Sequence, residues 1–309
     1  MLIFARMRRL VCFILSSLFL FQSFKAQNDS LLKPDYRNKK ILLASSVGVL
    51  TIGSLVFLNQ AWYSEYNTGK FHFFNDNGEW LQMDKVGHVY TTYQMSRLMM
   101  GAFDKVGYSK KAKLFIGGGI GLAYMTAIEC MDGFSRGWGY SWGDQVADVL
   151  GGALAISQEA FWREQRFQLK FSFAQSGLAK YNPSLLGKNK YSQILKDYNG
   201  QTYWLSVNPS TFMKGKSKFP KWLSISLGYG AYGMLGGYYN RVVVQDKDGN
   251  VLKIEWERRF YLSIDVDLTR VKTKSKILKS IFSVVNILKF PAPALQFSKN
   301  GMRAYAIYF

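Results

Sequence analysis

Two stretches of otherwise apolar sequence contain ionisable side chains, namely MDKVGHVYTTYQMSRL (83–98) and GLAYMTAIECMDGFSRGWGYSWGDQVADVLGG (121–152). These side chains come in pairs three or four residues apart, a spacing that puts both members on one face of a helix. Because a carboxylate is costly to bury without a partner, the pairs predict helices whose polar faces meet. The pairs are Asp84 with His88, Glu129 with Asp132, and Asp144 with Asp148.

Three kinds of chemistry fit such a cluster, and the residues alone leave all three open. Helix bundles hold divalent metals with carboxylates and imidazoles, although neither an HExxH nor an ExxH phrase occurs here. A histidine beside carboxylates can also transfer protons in acid–base catalysis. The third reading is a structural polar network in which Lys85 and Arg136 balance the acids. The metal candidates are Asp84, His88, Glu129, Asp132, Asp144 and Asp148, and the full polar set adds Lys85 and Ser141.

Two further features adjoin these pairs. Ser141 stands just before a helical segment and is predicted to be its N-cap, in preference to a nucleophile acting with His88 and an aspartate. The GGGIG phrase (117–121) follows no strand, so it predicts close helix packing and not a nucleotide site.

The N-terminal residues 1–26 have the form of a secretory signal peptide, with arginines before an apolar run and a cleavage point after Ala26. The alternative is an uncleaved anchor. After cleavage Cys130 is the only cysteine, so no intramolecular disulfide can form, and we expect its thiol to be packed in the core.

The apolar run Ile41–Trp62 is long enough to cross a membrane. Its serines and glycines lower the hydrophobicity of the run. If the signal peptide is cleaved, the basic residues before the run lie outside the inner membrane, which is contrary to the positive-inside tendency. An inner-membrane span and a buried or membrane-associated helix are therefore both open.

The net charge of +20 is unevenly placed. Residues 27–165 hold 13 basic and 13 acidic side chains, whereas residues 166–309 hold 23 basic and seven acidic ones. Basic charge in an exported chain favours anionic lipid head groups as partner and argues against nucleic acid.

From Arg166 onward the hydrophobic period changes from helical to two, which predicts antiparallel strands. In IEWERRFYLSIDVDLT (254–269) apolar and polar residues alternate over a length more typical of a membrane-barrel strand than of a soluble one. We expect it to form a hairpin with Tyr238–Gln245. We expect about six strands, fewer than the eight of the smallest barrels, so either 181–203 contains further strands or helices or another subunit complete the sheet. The final AYAIYF resembles the last strand of outer-membrane barrels. A soluble sheet packed on the helices is the alternative.

A basic amphipathic helix is predicted for residues 274–289, KSKILKSIFSVVNILK. Its apolar side chains fall on one face with lysines around them, a pattern typical of helices in a membrane interface and also of helices packed on a core.

The three polar phrases resemble the YfiM-like family, a domain of unknown function described as envelope lipoproteins. The resemblance rests on DKVGH (84–88), ECMD (129–132) and SWGDQVADVLG (141–151), and a looser likeness links DKVGH to VanZ-like membrane proteins. It implies an envelope location and no established activity. The chain departs from the lipoprotein pattern because Cys12 lies inside the apolar run and not at its end.

Together these patterns predict an α+β protein. A helical bundle with a buried polar cluster (27–165) precedes an antiparallel β-region of outer-membrane-barrel type (166–309). The expected function is a structural or interaction role at the cell envelope, on or near the outer membrane. The alternative is a metal-assisted or acid–base hydrolase acting on a lipid or cell-wall substrate.

Overall fold

The computed structural model describes residues 36–59, 69–213, 219–240, 244–245 and 250–309. It contains helices and antiparallel sheet, as predicted. The predicted signal peptide, 1–26, lies outside the described residues. The longer helices are α1 (Tyr36–Leu58), α2 (Met83–Lys105), α3 (Gly118–Gly133) and α4 (Trp142–Trp162), followed by α5 (Pro183–Leu186), α6 (Lys190–Lys196) and α7 (Lys276–Val285).

Helix α2 is the centre of the helical unit and packs against both α3 and α4. Glycines make this close approach feasible. A Cβ on Gly151 of α4 would lie 2.2 Å from the carbonyl oxygen of Val89, and one on Gly121 of α3 would lie 2.7 Å from that of Thr92. Gly121 belongs to the GGGIG phrase, so the predicted packing role is confirmed there, whereas Gly119 has no neighbour within 4 Å.

Six strands form one antiparallel sheet in the order β1-β2-β3-β6-β7-β8. Their bounds are β1 (Phe167–Phe173), β2 (Gln201–Val207), β3 (Leu223–Tyr232), β6 (Glu257–Val266), β7 (Ala292–Ser298) and β8 (Gly301–Tyr308), while β4 (Val244–Gln245) and β5 (Val251–Leu252) pair separately. The predicted hairpin is therefore wrong in one respect. β4, which ends at Gln245, pairs with β5, and the long strand β6 pairs with β3 instead. The segment 181–203, in which further strands were one predicted alternative, contains the beginning of β2.

The sheet is strongly curled. Lys170 on β1 and Asp265 on β6 are three strands apart, which in a flat sheet is about 14 Å, yet their charged atoms are 2.7 Å apart. Trp204 on β2 meets Tyr308 on β8 edge to face, with ring centroids 5.9 Å apart. Among the described residues no hydrogen-bonded ladder joins β1 to β8, so a closed barrel is not found.

The curled sheet has its polar face inside and its apolar face outside. On β6 the side chains of Tyr261, Ser263 and Asp265 are buried, whereas Phe260 and Ile264 are about half exposed. The same alternation continues on β3 and β7. The exposed apolar set, called the outer sheet face below, consists of Ile225, Leu227, Phe260, Leu262, Ile264, Leu295 and Phe297.

The helices cover only one end of this outer surface. Tyr90 of α2 contacts Phe171 of β1 and Tyr203 of β2, with ring centroids 5.8 and 5.5 Å apart. Tyr93 donates a hydrogen bond to the carbonyl of Phe167 at 3.1 Å. The helical unit therefore sits on β1 and β2, and the outer sheet face on β3, β6 and β7 has no such cover within the described residues.

By length and composition alone, two helical stretches could cross a membrane, Tyr36–Val56 and Lys110–Gly133, of which 6% and 33% respectively is buried. The first overlaps the apolar run predicted at 41–62. The thiol of Cys130 is exposed, so the expectation of a packed core cysteine is wrong. Its neighbour Glu129 takes the inward side of α3 instead, and the helical period then turns residue 130 outward.

Candidate functional site

Three helices bring the predicted polar pairs together. Asp84, Lys85 and His88 come from the first turns of α2, Glu129 from the end of α3, and Asp144 and Asp148 from the start of α4. The carboxylates of Glu129, Asp144 and Asp148 are at most 5% exposed. The convergence expected from the helical spacing is therefore present, and we call this group the carboxylate–histidine cluster.

His88 lies at the centre of the cluster. Its Nδ1 is 3.2 Å from Oδ1 of Asp148, which also accepts a hydrogen bond of 2.7 Å from the hydroxyl of Thr92. The opposite ring nitrogen, Nε2, is 3.7 Å from Oδ1 of Asp144 and 3.8 Å from Oε1 of Glu129. These two distances are too long for hydrogen bonds.

Lys85 joins the cluster to the loop before α2. Its Nζ is 2.6 Å from Oδ1 of Asp76, 2.8 Å from Oδ1 of Asp144 and 3.4 Å from Oδ2 of Asp84. Burial opposes the charged form of Lys85, but the charges of Asp84 and Asp144 outweigh that effect and raise its pKa. The predicted pairing of Lys85 with acids is thus present.

Ser141 is the N-cap of α4. Its hydroxyl accepts a hydrogen bond from the backbone N–H of Asp144 at 3.2 Å and donates one to Oδ1 of Asp76 at 2.6 Å. Its own backbone N–H donates to Glu129 at 3.0 Å. Because the hydroxyl is directed to Asp76 and not to His88, the arrangement is that of a cap and not of a catalytic triad.

A strained turn sets the position of the first cluster residues. Trp80, Leu81 and Gln82, immediately before α2, all have positive φ angles between 50° and 62°, which side-chain-bearing residues rarely adopt. The turn is held by a hydrogen bond from the backbone N–H of Trp80 to Gly237 at 2.7 Å. Strain of this kind persists only where surrounding contacts fix it.

Several cluster residues were missed from sequence. Asp76 lies directly before the turn at 77–78, where an aspartate is ordinarily explained by the turn itself. Tyr198 donates a hydrogen bond of 2.5 Å to Asp84 from more than 100 residues away, and no local pattern indicates it. Three of the six predicted metal candidates, Asp84, His88 and Asp144, have ligand atoms within 4.8 Å of one another. The other three candidates, Glu129, Asp132 and Asp148, are not in that group, and Asp132 is half-buried.

Burial and neighbouring charges compete at the cluster. Burial alone lowers the pKa of His88, but the hydrogen bond to Asp148 and the charges of Asp84 and Asp144 raise it to about 10. Burial raises the pKa of Asp144 to about 8, and the charge of Asp84 acts in the same direction. Burial also opposes the charge on Asp84, but the cations His88 and Lys85 lower its pKa overall.

We expect His88 to remain an imidazolium throughout the neutral range in protein freed of divalent cations. The C2 proton of its ring should show no titration step between about pH 6 and about pH 8, whereas an ordinary histidine titrates there. Proton NMR measures this, and the variant His72→Gln assigns the signal because the chain has two histidines. A midpoint near 6.5, the ordinary pKa of a histidine, would contradict the described hydrogen bond to Asp148.

The segment that carries the cluster is similar to a known family. Residues 72–159 match the model of a family described as "Predicted periplasmic lipoprotein (DUF2279)". No curated protein and no solved structure matches the chain. The narrower YfiM-like and VanZ-like resemblances stay predictions. The match covers every cluster residue except Tyr198, and the description of that family supports an envelope location for the protein.

Proposed function

We propose that this chain is an exported envelope protein associated with the outer membrane, with a structural or interaction role and without catalysis. One observation carries the proposal, namely the apolar outer sheet face opposite a buried polar face. In a soluble antiparallel sheet the apolar face packs on the core and the polar face meets water. Strands of outer-membrane proteins have the reverse arrangement, apolar toward lipid and polar toward the interior.

The buried polar face supports this reading because its groups are paired with one another. Lys170 Nζ lies 2.7 Å from Asp265, whose other oxygen accepts from the backbone N–H of Phe290 at 3.0 Å. Gln168 donates to Asp267 at 2.8 Å and accepts from Asn286 at 2.7 Å. A polar interior with these contacts needs no apolar core, so the apolar side chains can face lipid.

Basic side chains border the outer sheet face. Arg258 and Lys299 are exposed and line a shallow groove together with Phe260 and Phe297. At the other end α7 exposes lysines and the apolar side chains of Ile277 and Leu278. Ammonium and guanidinium groups beside an apolar band favour anionic lipid head groups as the partner, at about 1 kcal/mol for each such residue near the surface.

The hydrolase alternative depends on the carboxylate–histidine cluster alone. Its central carboxylates, Glu129, Asp144 and Asp148, are enclosed by the packed helices and are at most 5% exposed. A lipid or cell-wall substrate has to reach the reacting groups. We therefore propose the non-catalytic role.

The substitution Leu262→Lys tests the lipid contact. Leu262 is 40% exposed on the outer sheet face, and a lysine on a lipid-facing strand costs about 2–4 kcal/mol at mid-depth, so we expect vesicle binding to fall tenfold or more. The matched control is Leu195→Lys, at a leucine 57% exposed on α6, which should bind as the unsubstituted chain does. Flotation with phosphatidylcholine and phosphatidylglycerol vesicles measures both.

Three outcomes would count against the proposal. They are recovery of the protein in a soluble periplasmic fraction, equal flotation of the Leu262→Lys and unsubstituted chains, and loss of flotation in the Leu195→Lys control. Binding that is stronger to phosphatidylglycerol and weakens with salt would support the anionic head groups. Equal binding to both lipids would remove that part of the proposal while leaving the apolar contact.

A further inference from the structure

The carboxylate–histidine cluster holds more negative than positive groups. Two cationic side chains, Lys85 and His88, face five carboxylates. Even when both cations are charged, they can balance only two of these carboxylates, and the described part of the chain supplies no third cation at contact distance in the cluster. The five carboxylates are Asp76, Asp84, Glu129, Asp144 and Asp148.

Buried oxygens in the cluster lack the partners that such atoms ordinarily have. Oδ2 of Asp148 is fully buried and accepts no hydrogen bond from any described residue. Oδ1 of Asp144 is also buried without a hydrogen bond of good geometry, although the ammonium group of Lys85 lies 2.8 Å away. Native structures leave few buried carboxylate oxygens without a partner, so Oδ2 of Asp148, which has neither a hydrogen bond nor a cation beside it among the described residues, indicates a missing positive group in the cluster.

The orientation of His88 is that of a metal ligand. Asp148 holds Nδ1, and histidines that bind metals donate their second ring N–H to a carboxylate in this way. Nε2 then faces Asp144 and Glu129 at 3.7 and 3.8 Å. Ligand atoms about 2.1 Å from a tetrahedral cation are about 3.4 Å apart, so small movements would close the group around an ion.

We propose that Asp84, His88 and Asp144 bind one divalent cation, with Nε2 of His88 as the nitrogen ligand. Their ligand atoms all lie within 4.8 Å of one another. Imidazole combined with carboxylates suits zinc, iron or manganese, whereas magnesium and calcium prefer oxygen alone. Asp148 is a positioning residue that fixes the ring.

Lys85 does not block this site. Its ammonium group touches Asp144, but it lies closer to Asp76, at 2.6 Å. When a cation approaches Asp144, Lys85 can keep its contact with Asp76 and leave the space. The proposal concerns the helical unit and does not depend on the membrane contact of the sheet.

Titration of the chelator-treated full chain with Zn²⁺ and with Mn²⁺ tests the site. We expect one equivalent to bind, with affinity falling at least tenfold in His88→Gln and in Asp144→Asn. The matched control is His72→Gln, at the exposed histidine outside the cluster, which should bind as the unsubstituted chain does. Calorimetry gives affinity and stoichiometry together.

A spectroscopic readout covers the case in which a variant fails to fold. In the unsubstituted chain labelled with ¹⁵N-histidine, Zn²⁺ should move the Nε2 resonance of His88 and leave that of Nδ1 protonated. Absence of binding by both cations, unchanged affinity in His88→Gln, or an unmoved Nε2 resonance at saturation would overturn the proposal.

Discussion

Replacement of Lys170 by alanine is expected to lower the free energy of unfolding by about 3–5 kcal/mol. Lys170 and Asp265 are both fully buried on the polar face of the sheet, with their charged atoms 2.7 Å apart. Removal of the ammonium group leaves a buried carboxylate whose hydrogen-bond donors among the described residues are the hydroxyl of Ser206 and the backbone N–H of Phe290, with the charge of Lys289 as the remaining nearby cation. Urea unfolding in detergent, followed by tryptophan fluorescence, measures the loss.

Two controls separate the loss of charge from the loss of volume. The double change Lys170→Met with Asp265→Leu should recover much of the stability, because an apolar pair of similar size leaves no charge behind. Lys253→Ala, which removes an exposed partner of Glu255, should leave the unfolding midpoint where it was. If Lys170→Ala behaves like Lys253→Ala, the polar interior does not stabilise the sheet.

Gly151→Ala should be the second large destabilisation, on the order of 3 kcal/mol. The new Cβ would lie 2.2 Å from the carbonyl oxygen of Val89 and 3.0 Å from the backbone nitrogen of Tyr93, so α4 must move away from α2. The three nearest atoms all belong to the backbone of α2, so no flexible side chain can move aside. The same movement would lengthen the contact between His88 and Asp148, which lies one turn before Gly151.

Gly119→Ala is the matched control, because nothing lies within 4 Å of the Cβ that it would add to α3. Alanine is favoured over glycine in a helix interior by about 0.5–1 kcal/mol, so this variant should be unchanged or slightly more stable. Thermal unfolding by circular dichroism compares the two. A Gly151→Ala chain as stable as Gly119→Ala would mean that α2 and α4 are not in close contact.

The helices and their polar cluster were predictable because each rests on local spacing. Pairs such as Asp84 with His88 share a face by helical geometry alone. Because they stand in an apolar sequence, their side chains need polar partners when they are buried. Ser141 was recognised as a cap from its position before the apolar run, and it caps α4.

The sheet was less accessible from sequence because strand order depends on distant pairings. The alternation in 254–269 indicates a strand and its two faces. It does not predict the partner strand or the register, in which Leu262 pairs with Leu227. Strand β7 was missed as a separate strand, since Pro291 and Pro293 mask its alternation. Tyr198 and Asp76 reach the cluster through tertiary contacts that have no local signature.

The polar interior of the curled sheet also affects how its stability responds to temperature. Exposure of apolar surface on unfolding raises the heat capacity, whereas exposure of polar surface lowers it. In this sheet the groups that unfolding would release include Lys170, Asp265 and Gln168, while Phe260 and Leu262 are already exposed in the folded chain. The sheet should therefore contribute little to the heat-capacity increment, so that its stability curve is flatter than that of a sheet of equal size with an apolar core.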